Sequence, residues 1–241
     1  MGSLSSYIER EVNLILLLQN LNKEIVVIEL SGGKVLKGSV IDSSSDIIVI
    51  YNGNMFVYLP IDHIQTLEID YNNEDNVQQP SERPAFDSQV SSNKDLTLTN
   101  ILSYAKGIHV EIFVTKNQAL HGVITSVRND YFVFESPIYK TMLISTKHLK
   151  WLIPYSKDQF PYGLSENEFL SLSSINNQSL NDTFESQIDQ LRNQFVVLNL
   201  GKEFSHIGRV VTVKGQIIEI QNGKSNSTYF NLSHIQTVHQ V

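Results

Sequence analysis

The chain has 241 residues, 41% of them hydrophobic, which suits one large or up to three small soluble domains and excludes disorder over most of its length. Eighteen basic residues against 25 acidic ones leave a net charge of −7, so the whole-chain field repels polyphosphate and a general nucleic-acid coat is disfavoured. The absence of cysteine removes disulfides, thiolate nucleophiles, Fe–S clusters and Cys-ligated zinc together.

At the start, residues 1–12 are polar and acidic, with no basic region ahead of an apolar core, and no signal peptide is expected. The longest aliphatic run, Leu14 to Leu18, is far short of the roughly 20 residues that cross a bilayer, so no membrane segment is expected either. Leu14, Ile15, Leu17, Leu18 and Leu21 recur at helical spacing, which predicts a short helix. Five short strands then follow, at Ile25–Leu30, Val35–Ile41, Ile47–Tyr51, Met55–Pro60 and Ile64–Ile69. The loops between them carry the Gly, Asn and Asp that tight turns need.

This pattern comes three times. Aligned on Gly38, Gly122 and Gly208, the windows 25–50, 109–134 and 195–220 superpose without a gap. The register continues to His63, His148 and His234, each followed by an aliphatic residue, and His63-Ile64-Gln65-Thr66 is matched by His234-Ile235-Gln236-Thr237. Second and third helices are predicted from Leu98, Ile101, Leu102 and Ala105, and from Phe184, Ile188 and Leu191. The organisation predicted is an N-terminal segment 1–12, units at 13–70, 96–155 and 184–241, and polar linkers at 71–95 and 156–183. The linkers are acidic, whereas the second unit carries a net +3 and the third +1.

A unit of about 58 residues is marginal as a flat sheet, which favours closure into a strongly bent barrel. The three glycines then fall where a strand folds over the core and has no room for a Cβ.

No catalytic pattern is present: there is no G-x-S-x-G, no H-E-x-x-H and no phosphate loop. Asp42 and Asp46 flank a serine turn, and their equivalents, Ser126 and Asp130, then Thr212 and Gln216, are too unlike to be a catalytic pair. The repeated histidines read first as ring-to-backbone hydrogen bonds before the last strand. A shared metal among His63, His148 and His234 is the alternative, set against the unlike preceding residues Asp62, Lys147 and Ser233. Phe132 and Phe134 stand where the siblings have isoleucine and are read as core. Trp151 replaces Thr66 and Thr237, which marks it as a contact between units or chains.

A helix followed by five bent strands resembles the Sm fold. Gly33-Lys34-Val35-Leu36-Lys37-Gly38 and Lys147-His148-Leu149 are similar to the glycine-bearing strand and the lysine-histidine pair of the Hfq RNA chaperones. That resemblance implies RNA contacts from Arg128, Lys147 and His148, with the lysine missing from the other two units. Over nearly the whole chain, the three helix-plus-barrel units, the acidic linkers, the Ser31-Gly32-Gly33 loop and the passage 229–236 resemble spore coat protein B of Bacillus. This implies three tandem Sm-like units in a non-enzymatic coat protein of the endospore, made in the mother cell, with no cofactor and no metal. Its expected partners are other coat proteins and further copies of itself, and no nucleic acid. The strand-four edge, Phe56, Val57 and Tyr58, together with Trp151, is the expected assembly contact.

Overall fold

A computed structural model describes residues 18, 20–90, 96–115, 118–156, 159–168 and 179–241. The segment 1–12, the helix-forming residues Leu14, Ile15 and Leu17, and parts of both predicted linkers lie outside the described residues. The described chain is mainly β, with fifteen strands and two α-helices. It divides into two compact units: residues up to Tyr104 with Lys150–Pro154, and Ala105–Leu149 with residues from Tyr155 onward.

In the first unit, β1 (Ile25–Leu30), β2 (Lys34–Ser43), β3 (Ile47–Tyr51), β4 (Phe56–Pro60) and β5 (Ile64–Ile69) form the first series of five strands, followed by α1 (Leu98–Tyr104). A 3₁₀ turn, Ile61–His63, separates β4 from β5. The sheet order is β5-β1-β2-β3-β4-β10, where β10 is Trp151–Pro154 and every pairing is antiparallel. Alternation along β1 buries Val26, Ile28 and Leu30, while β3 is buried on both faces from Ile47 to Ile50.

The polar stretch after β5 packs back on this sheet. Lys37 bridges to Asp70 and Asp75. Gln79 accepts from the Ser39 hydroxyl and donates to the Lys23 carbonyl. Phe86, fully buried, lies 5.2 Å from the Tyr58 ring and 6.3 Å from that of Tyr104.

In the second unit, β6 (His109–Phe113), β7 (Leu120–Val127), β8 (Tyr131–Ser136) and β9 (Lys140–Ser145) are followed by α2 (Phe184–Asp189). The last series is β11 (Phe195–Leu198), β12 (Ile207–Lys214), β13 (Ile217–Gln221), β14 (Ser227–Asn231) and β15 (Thr237–Gln240). The order is β6-β7-β8-β9-β15-β11-β12-β13-β14. Its core joins Tyr131, Val133 and Leu143 to Phe184 and Ile188 of α2 and to Val196, Leu198, Val210, Ile218, Ile220 and Val238.

The closed barrel expected of each unit is not found. The fourth and fifth strands of a series do not pair with each other: the free side of β4 is taken by β10 and that of β9 by β15. In these two series a strand from further along the chain satisfies the edge that closure would otherwise pair.

Candidate functional site

The three aligned glycines sit in β2, β7 and β12, each at the same close approach. A Cβ on Gly38 would lie 2.6 Å from the Tyr51 carbonyl oxygen, and on Gly122 and Gly208 still closer to those of Glu135 and Gln221. The register then slips by one residue at equivalent places, between Val40 and Asp42, Ile124 and Ser126, and Val210 and Thr212. Close approach followed by a bulge is what bends these long strands.

Two strand joints link successive series. In the first unit, Tyr58 of β4 stands opposite Leu152 of β10. Phe56, Val57 and Tyr58, the expected assembly contacts, thus lie on a strand paired on both sides, and Trp151, buried, precedes Leu152 on its partner. Burial also pushes the Tyr58 hydroxyl well above its ordinary pKa. Lys150 reaches back to donate to the Ser31 carbonyl, while the Ser31 hydroxyl is hydrogen-bonded to His63 Nδ1 at 3.1 Å.

In the second unit, Met142, Leu143 and Ile144 of β9 face His239, Val238 and Thr237 of β15. The ladder continues from the Ser145 amide to the Gln236 carbonyl, 3.1 Å, and His148 Nε2 donates to the Ser233 carbonyl at 3.0 Å. Counted from the repeated histidines, Tyr58 and Leu143 each lie five residues before, and Leu152 and Val238 each four residues after, so the two joints share one register.

Each joint has a second component that sequence reasoning missed. Asp46, in the turn before β3, accepts from the Leu98 amide at the start of α1, 3.0 Å. Asp130, at the aligned position, accepts from the Phe184 amide at the start of α2, 2.7 Å. A carboxylate from one series therefore caps the helix that opens the next. The third series has Gln216 there, and its side chain donates to Glu185. Asp, Asp and Gln at one offset was the available signal.

The predicted RNA-contact residues lie in the second unit. Lys147 is exposed, His148 is half-buried with its ring on the Ser233 carbonyl, and Arg128 is half-buried. His234 is exposed, and its carbonyl accepts from Asn199. Among the described residues no three His, Asp or Glu side chains are grouped to hold a metal, and no helix is long and apolar enough to cross a membrane. A groove of about 400 Å³ is lined by Thr115, Asn199, Lys202, Glu203 and His206.

The fold and its strand joints define a mainly β, modular protein in which a strand of one series pairs with a strand of the next. Its third series, residues 183–238, matches the YwrJ third-domain family. Over 226 residues the chain is 32% identical to YwrJ of Bacillus subtilis, covering 92% of this chain and 97% of that protein, and it belongs to the YwrJ family. It is also 24% identical to spore coat protein B of B. subtilis over 149 residues, 61% of this chain and 36% of that protein. The likeness to protein B is thus shorter than the sequence motifs suggest, and the full-length relationship is to YwrJ.

Proposed function

We propose that this protein is a non-enzymatic structural component of the bacterial endospore coat, built of three tandem Sm-like units and made in the mother cell. The similarity to spore coat protein B carries this reading. The use of its side chains agrees with a building block: the aligned glycines bend strands, His148 and His63 make local hydrogen bonds, and Asp46 and Asp130 cap helices. Its partners on this reading are other coat proteins and further copies of itself. A fluorescent fusion expressed from its own promoter is expected to appear in sporulating cells and to collect at the forespore periphery. Uniform fluorescence through growing cells would overturn it.

The RNA-binding alternative is the weaker reading, because the His148 ring is directed to a backbone carbonyl and two series lack the lysine. It predicts tight binding of a labelled oligo-uridine that Lys147→Ala abolishes.

A further inference from the structure

The two internal joints leave one half-joint unused at each end of the strand order. Among the described residues, β5 of the first unit pairs only with β1, and β14 of the second only with β13. These edges are not alike. β14 is a fourth strand, as β4 and β9 are, and β5 is a fifth strand, as β10 and β15 are. We propose that β14 of one copy pairs antiparallel with β5 of a second copy, remaking the internal joint between chains.

Burial at aligned positions carries the argument. Tyr58 and Leu143, on the two joined fourth strands, are 2% and 8% exposed, whereas Tyr229 on β14 is 64% exposed. Ile47 and Tyr131 are fully buried, yet their equivalent Ile217 is 39% exposed. On the fifth strands, Trp151 and Thr237 are buried while Thr66 is exposed, and Leu152 and Val238 are buried while Leu67 is half-buried. The third series thus presents the same socket with nothing in it, and the first presents a matching fifth strand. Unpaired strand edges template further pairing.

The internal register fixes the contact. Tyr58 opposite Leu152 and Leu143 opposite Val238 become Tyr229 opposite Leu67 of the second copy. The exposed His234 takes the place of His148 and faces the Asp62 carbonyl. Because the surfaces differ, the contact is heterologous and either closes a ring or runs on as a fibre.

Two substitutions make the joint between copies weaker than those within the chain. The socket residue equivalent to the buried Val49 and Val133 is Glu219, and the helix-capping aspartate is Gln216. Assembly is therefore concentration-dependent.

The proposal rests on reading the chain as a building block, and it is tested on purified full-length protein, so its failure leaves the coat localisation standing and the reverse. The chain has no cysteine, and paired Cα atoms in an antiparallel ladder lie within disulfide reach. Leu67→Cys and Tyr229→Cys chains, mixed and oxidised, are expected to give a mixed disulfide dimer in higher yield than either variant alone. In sedimentation velocity, Tyr229→Lys should weaken self-association about tenfold or more, and Glu219→Val should strengthen it, with the circular dichroism of each unchanged. If a variant loses its β spectrum, the wild-type sedimentation decides. A wild-type chain that stays monomeric at its highest soluble concentration overturns the proposal. So do cross-links that form between two Leu67→Cys chains as readily as across the mixed pair.

Discussion

The two internal joints have the same register and different chemistry. In the first unit the pairing of β4 with β10 is short, and side chains dominate it: Tyr58 against the buried Phe86, Trp151 beside it, Lys150 on a carbonyl. In the second unit β9 and β15 share a longer ladder, extended by the Ser145 amide and the His148 ring, and the position of Trp151 is held by buried Thr237. One geometry can thus be held mainly by packing or mainly by backbone hydrogen bonds. The register is common to both, and the fastening is a local choice.

The hardest test of that contrast is Tyr58→Ala, which empties a packed aromatic site in the first joint. It should lower stability by about 3–5 kcal/mol, read by urea denaturation. Hydrogen exchange should show the loss of protection concentrated in β4 and β10; an effect as large in β9 and β15 would dissolve the distinction.

Acid should separate the units next. Burial holds the His109 pKa at about 4, and it lowers that of His239 as well, both in the second unit. A histidine with a depressed folded pKa lends stability in full above its ordinary value near 6.5, and that stability is lost as pH falls toward 4. The second unit should therefore weaken by on the order of 2–3 kcal/mol across that window. His109→Phe should flatten most of the slope. Glu135, whose carboxyl burial holds above the usual carboxylate range, acts in the opposite sense at the acid end.

Smaller effects are expected at the fastenings themselves. Asp130→Ala and Asp46→Ala each remove a helix cap and should cost about 1 kcal/mol, whereas Gln216→Ala should change stability by less than about 0.5 kcal/mol. A Gln216→Ala loss equal to that of Asp130→Ala would mean that these positions act only through their own turns. His148→Ala should cost about 1 kcal/mol by freeing the Ser233 carbonyl, measured as faster exchange in β15.

Much of this was legible in the residues. The bounds of β1, β3 and β5 fall where their apolar stretches give way to polar turn residues. The aligned glycines marked the bends because nothing but glycine fits against the facing carbonyl. The edge pairing was harder to read, because Tyr58, Leu143 and Tyr229 are similar side chains whose burial is decided by a strand more than 90 residues downstream, or by its absence. Phe86 was hidden for the same reason, one aromatic in a polar stretch whose partner Tyr58 lies far back in the chain. The closure expected of each barrel follows from taking a unit alone, whereas β10 and β15, from further along the chain, take up the free sides of β4 and β9.

The aspartate caps also give the chain a direction in time. Asp46 precedes Leu98 by 52 residues and Asp130 precedes Phe184 by 54. At a synthesis rate of roughly 5–20 residues per second, each helix leaves the ribosome some 3–10 s after the carboxylate that receives it. Each of the first two series thus has its acceptor in place before the helix of the next is made. The aligned turn of the third series carries Gln216 in place of aspartate, and its side chain donates to Glu185 of the helix that opens its own series.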